Sequence, residues 1–183
     1  HRSKGLEFPV CILANCSRKF NKDKGDVLLH PLLGLGAKIR DSKRLLQYST
    51  MPRKAVEIEI ERGLISEELR VLYVAMTRAK EKLILLTSLK DIVKKLSSIA
   101  SQLTETPKIS PYVVRNANSF SDWILLCAIR HPSGKELRRI AQAAPGIMIT
   151  KGEDWEINVI TPKDNNNEIE CKDNSIALFD NNL

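Results

Sequence analysis

Three stretches of this chain carry residue types that could do chemistry. The first, HRSKGLEFP at residues 1–9, sets basic side chains and a glycine ahead of an apolar run. A glycine in such a loop lets backbone N–H groups come close to an anion. Glu7 adds two acceptor oxygens, which suit a pair of neighbouring hydroxyls. Taken alone, such residues more often form just a turn with a solvated carboxylate. The second stretch is LRVLYVAMTRAKEKL, residues 69–83. Helical spacing puts Arg70, Tyr73 and Thr77 along one face, and Arg78 falls at the helix end. A guanidinium there can reach across a cleft to a phosphate, and its planar fork can stabilise charge that develops in phosphoryl transfer. The plain alternative is a surface arginine in a Lys/Glu-rich helix. The third is a basic cluster, Lys38, Arg40, Lys43 and Arg44, either a contact to nucleic-acid phosphates or a solvated loop.

Elements must hold these residues. FPVCILA, residues 8–14, is a short, nearly continuous apolar run. That pattern predicts a strand buried on both faces, as in a parallel sheet, with Cys11 a buried thiol. Pro9 opens it, where a missing N–H is tolerated. Residues 15–50 read as an insertion of loops, with strand-like pieces near 27–30 and 44–49. From Met51 to Lys80 the pattern is helical, with Leu69, Leu72, Tyr73 and Met76 forming one apolar stripe. Ser66 and Glu68 could start a helix after a break at Gly63, so two helices, 51–62 and 66–79, are as consistent as one. KLILLTS, residues 82–88, is a second run of strand length. Strand, insertion, helix, strand is the order of a doubly wound α/β domain. Beyond it the sequence predicts helices at 89–103, 119–131 (capped by Ser121 or Asp122) and 133–143, then a hairpin around KGED and an Asn/Asp-rich tail.

Composition sets limits. With 183 residues and 43% hydrophobic content, the chain can bury a core of its own. The net charge of +7 is the sum of +7 over residues 1–88, +5 over 89–145 and −5 over 146–183. A basic globular part fits a polyanionic partner or a nucleotide phosphate. The four cysteines have no CxxC spacing and the three histidines lie apart from them, which argues against a zinc site. No run is long enough for a membrane span or a signal peptide, so a cytoplasmic protein with reduced cysteines is expected. The chain enters a loop at His1 without an initiator Met, and reads as one piece of a longer, multidomain protein.

HRSKGLEFP together with LRVLYVAMTRAKEKL resembles motifs V and VI of the UvrD-like superfamily 1 helicases. The segment between them, and SFSDWILLCAIRHPSG at 119–134, resemble more closely the AddA-type subunits of bacterial helicase–nucleases. The motifs cover about residues 1–88, and the wider similarity reaches about residue 160. The resemblance implies an α/β fold, part of a RecA-like second motor domain over residues 1–105. A helical and hairpin connector at 106–160 and a linker at 161–183, leading toward a nuclease domain, would follow. It implies that Glu7 binds the ribose of ATP, that Gly5 lies near the phosphates, and that Arg78 contacts the γ-phosphate. His1 would lie near the DNA, with Tyr73 and Thr77 supporting the Arg78 helix end. It implies an ATP-dependent 3′→5′ DNA helicase and exonuclease of double-strand-break repair. Such an enzyme uses ATP with Mg2+, works on single- and double-stranded DNA beside an AddB-type partner, and is associated with the nucleoid. The sequence contains no GxxxxGK[ST], so this stretch by itself is expected not to hydrolyse ATP. EIECK (168–172) superficially fits the E-x-K element of a nuclease metal site, but its low-complexity surroundings argue against that use. A UvrD-like helicase without a nuclease, or a linking module that docks through SFSDWILLCAIRH, are the competing readings.

Overall fold

The structure is a computed structural model, which describes residues 5–22, 25–104, 106–143 and 155–160. Strand β1 (Phe8–Leu13) pairs in parallel with β5 (Ala79–Leu85), from Phe8 opposite Ala79 to Leu13 opposite Leu85. The register slips between Phe8 and Val10, where Pro9 has no N–H to donate. Between these strands lie β2 (Val27–His30), β3 (Gly34–Asp41), β4 (Leu46–Ser49) and one long helix, α1 (Met51–Met76).

The residues between 25 and 50 form a three-stranded antiparallel sheet in the order β2-β3-β4. Its turns are locally encoded. His30 Nδ1 accepts from the Leu32 and Leu33 N–H groups before Gly34, which takes φ 73°. Asp41 Oδ1 accepts from the Lys43 and Arg44 N–H groups, and Leu45 follows in the left-handed region. Leu28 and Gly36 are paired and buried on the face toward α1. Val27, Leu29, Leu35, Ile39 and Tyr48 on the other face are all exposed.

Helix α1 starts at an N-cap, Thr50, whose hydroxyl accepts from Arg53 N–H at 3.2 Å and donates to Ala37 O at 2.7 Å. Pro52 sits in the first turn, where its missing N–H costs nothing. The helix runs through Gly63 without a break, so Ser66 lies inside it and caps nothing. The apolar stripe divides: Leu72 is buried and Met76 packs on the core, whereas Leu69 and Tyr73 are exposed, because only one side of α1 meets other elements.

The main core lies where α1 meets α2 (Ile92–Ala100), α3 (Pro111–Arg115), α4 (Phe120–Arg130) and α5 (Lys135–Ala141). Leu96 and Ile129 are fully buried, and each such side chain contributes about 1.5–3 kcal/mol. Trp123, Leu125 and Leu126 of α4 belong to this core, so the helix is a packing element, not an exposed docking surface. Its N-cap is Ser119. Asp122, expected as a cap, instead accepts from Asn118 N–H and Ser119 Oγ and pairs with Lys95. Residues 16–20 are stitched to the start of α4 by Ser121 N→Cys16 O and Phe20 N→Asn118 O, both 2.8 Å. There Phe20 meets the Phe120 ring edge-on. Trp155 stacks on buried His131 at 4.8 Å.

Strand β1 departs from the expectation of burial on both faces. Phe8, Val10 and Ile12 are 40–60% exposed, since β5 is its only neighbour among the described residues. Cys11 is accordingly half-buried, and the buried thiol is Cys16, where burial pushes the pKa up. The hairpin expected around KGED, the tail and the E-x-K element fall mainly on residues outside the described ones.

Candidate functional site

The parallel pairing of β1 with β5 carries the two chemical stretches to one place. Phe8 N–H donates to Arg78 O at 2.9 Å, so the loop of Gly5, Leu6 and Glu7 lies beside the end of α1. Gly5 has φ 82°, a conformation open to glycine and strained for other residues. Arg78 is half-buried, and its Nη1 donates to Leu6 O at 3.2 Å. Glu7 Oε2 lies 3.1 Å from Lys80 Nζ, both side chains being more than half exposed.

The helix end that presents Arg78 is closed by Thr77. Its hydroxyl donates to Tyr73 O at 3.0 Å and Val74 O at 3.1 Å, and its N–H donates to Tyr73 O. These bonds satisfy carbonyls that would otherwise be orphaned at the C-terminus. Tyr73 takes part through its backbone, while its ring is exposed. Arg70 stands on the same helix in an exposed ion pair with Glu67 and is not drawn into the Arg78 cluster. His1 lies outside the described residues.

The four basic residues of the insertion separate into two pairs. Lys38 and Arg40 both lean on Asp26, at 2.9 Å and 3.9 Å. The hydrogen bond from Lys38 is the main cause that holds the Asp26 carboxyl below the usual carboxylate range. Lys43 and Arg44 stand exposed at the β3–β4 turn, Arg44 with Asp41 4.0 Å away.

Two contributors escaped sequence reasoning. Lys80 stands two residues past Arg78, and aligning the two apolar runs as parallel neighbours would have placed it against Glu7. Arg53 fixes the insertion sheet to α1. It is 2% exposed and donates to Gly25 O at 2.7 Å and Glu57 Oε2 at 3.2 Å. No pattern in the sequence marks it off from the surface arginines. Lys54, with Arg53 behind it, keeps Glu57 ionised below its ordinary range.

Residues 1–90 match the family described as UvrD-like helicase C-terminal domain. Those residues belong to that family. Most of the chain is also similar to proteins named as the A subunit of an ATP-dependent helicase/nuclease. The relative from Thermoanaerobacter sp. (strain X514) is 41% identical over 169 residues, 90% of this chain and 13% of the relative. That from Clostridium perfringens (strain SM101 / Type A) is 35% identical over 190 residues, all of this chain and 15% of the relative. That from Heliobacterium modesticaldum is 37% identical over 155 residues, 82% of this chain and 11% of the relative. The chain thus spans about a seventh or less of the length of these relatives. The similarity runs well past the family match, across α2 to α5, the part that supplies most of the core. Among the described residues the fold is mixed α/β with a parallel strand pair. None of the described helices is long and apolar enough to cross a membrane.

Proposed function

We propose that this chain supplies the second half of an ATP site and part of a DNA track in an ATP-dependent DNA helicase–nuclease of the AddA type. The observation that carries the reading is the juxtaposition of Arg78 with the loop of Gly5, Leu6 and Glu7, set by the Phe8–Ala79 register. A cation at a helix end, a carboxylate and a glycine-bearing loop within one turn of each other make a surface that can receive a nucleotide from one side. In this reading the domain is RecA-like. Glu7 receives the ribose hydroxyls, Gly5 lets the backbone approach the phosphates, and Arg78 reaches the γ-phosphate. Arg78 acts as an arginine finger, stabilising charge on the transferred phosphoryl group. Its present partner, the Leu6 carbonyl, is one neutral acceptor, easily exchanged for a phosphate oxygen. Lys43 and Arg44 meet the DNA backbone, with Lys38 and Arg40 beside them, and His1 is assigned to the DNA by its motif match alone.

ATP comes with Mg2+, which neutralises phosphate charge. Among the described residues no group of three or more His, Cys, Asp and Glu side chains is placed to hold a metal ion, and we assign no ligand for it to this chain. The GxxxxGK[ST] loop that cradles phosphates is absent from the sequence, so the 183 residues alone bind nucleotide weakly and do not turn it over. The complete protein translocates 3′→5′, degrades DNA through a separate nuclease domain, and works with an AddB-type partner in the cytoplasm. The names of the relatives support the ATP-dependent helicase/nuclease part of this reading, and the family match supports its UvrD-like motor part.

The test is a comparison of single-strand-DNA-stimulated ATPase rates in the full-length protein. Arg78→Ala is expected to cut turnover by about a thousandfold or more while nucleotide still binds. Unchanged turnover would end the reading of Arg78 as a finger.

A further inference from the structure

The ion pair between Lys80 and Glu7 has no part in the roles assigned so far. Lys80 Nζ lies 3.1 Å from Glu7 Oε2, an ion pair made through one of the two carboxylate oxygens. The pair is built into the sheet. Phe8 and Ala79 are register partners, which puts Glu7, one residue earlier on the chain, within reach of both flanks of Ala79, namely Arg78 and Lys80. The two cations divide the acceptors of the loop between them: Arg78 takes the Leu6 carbonyl and Lys80 takes the Glu7 carboxylate. A glutamate side chain with no partner samples many rotamers. One whose first oxygen is tied has its second aimed.

We infer that Lys80 is a positioning residue that holds one oxygen of Glu7 and so aims the other at the ribose hydroxyls, which sets the preference of the site for ribonucleotides over nucleotides lacking those hydroxyls. This rests on the reading of Glu7 as the ribose carboxylate. Lys80 touches neither sugar nor phosphate in this scheme, and acts only through Glu7. Because both side chains are more than half exposed, the effect is modest. A solvated ion pair of this kind corresponds to at most about a fivefold change in an equilibrium constant.

The experiment is a double-mutant cycle in the full-length protein, with steady-state ATPase stimulated by single-stranded DNA. ATP and 2′,3′-dideoxy-ATP are compared as substrates for wild type, Lys80→Ala, Glu7→Ala and the double variant. Lys80→Ala is expected to raise KM for ATP about two- to fivefold with kcat unchanged, and to leave KM for the dideoxy nucleotide where it was. In the Glu7→Ala background, removing Lys80 is expected to have no further effect. Lys80→Arg, which keeps the cation, restores the wild-type KM for ATP. An equal rise for both nucleotides, or an effect that persists without Glu7, would overturn the proposal and make Lys80 a direct phosphate or DNA contact. If Glu7→Ala itself treats the two nucleotides as wild type does, it is the ribose reading of Glu7 that fails.

Discussion

Two glycines of this chain should respond to the same substitution with opposite signs. Gly36 lies in β3 where the insertion sheet crosses the first turn of α1. A Cβ placed there would stand 2.6 Å from Arg53 Cα, 3.0 Å from Arg53 N and 3.1 Å from Pro52 O. Carbon atoms in contact sit about 3.5–4.0 Å apart. All three neighbours are backbone, so no rotamer change relieves the overlap. The sheet must lift off the helix by roughly an ångström, and the hydrogen bonds of Thr50 and Arg53 that join them must stretch. Overpacking of this kind costs about 1–3 kcal/mol. Gly63, in the middle of α1, has nothing within 4 Å of the same virtual atom. Alanine there should stabilise by about 0.5–1 kcal/mol, through better helix propensity and a less flexible unfolded chain. Equilibrium urea unfolding of the 183-residue chain reads both. Gly36→Ala should lower the midpoint and Gly63→Ala should raise it, with the m-value unchanged in each. A Gly36→Ala protein as stable as the parent would refute the close approach of sheet and helix. A destabilised Gly63→Ala protein would mean that α1 is not one continuous helix.

The same interface and its charges lead to further expected outcomes. Arg53→Met should destabilise the chain by about 1.5–3 kcal/mol, because it removes charged hydrogen bonds to Gly25 O and Glu57, and urea midpoints check this. Hydrogen exchange should open first in β2 to β4, which that side chain clamps to α1. The depressed pKa of Asp26 gives a pH signature. Its contribution to stability is fully present above the ordinary carboxylate pKa of about 3.9 and is lost as pH falls through the lower folded value. Asp26→Asn should remove that part of the acid dependence, seen as a flatter stability–pH curve in the acid range. Replacing both Lys43 and Arg44 by alanine in the full-length protein should reduce the slope of log affinity for single-stranded DNA against log salt by about 0.7 for each phosphate that is no longer neutralised. An unchanged slope would show that the β3–β4 turn does not touch the backbone.

How much of this was legible in the sequence depended on the kind of signal. The two apolar runs were visible as strands, and their separation by a helical stretch pointed to the parallel pair that joins Glu7 to Arg78. Thr77 was legible as a support for the helix end. What failed was anything decided by neighbours. FPVCIL is apolar on both faces whether or not other strands cover it, so its exposure could not be read from its own pattern. Strand β3 was missed because GLGAKIRD carries two glycines, one required by a turn and one by the approach of α1. Gly63 suggested a break that the flanking helix formers and the Leu72 packing override. The basic cluster looked uniform until Asp26, a dozen residues before Lys38, took two of its members.

Helix α1 has one further consequence. Its 26 residues make a rod about 39 Å long. One end is sewn to the insertion sheet through Thr50 and Arg53, and the other presents Arg78 to the loop of Gly5 to Glu7. Ile65, Leu72 and Met76 pack this far half of the rod into the main core, and Phe8 N–H holds Arg78 O at 2.9 Å, so α1 is a strut that sets a fixed span between the small sheet and the arginine.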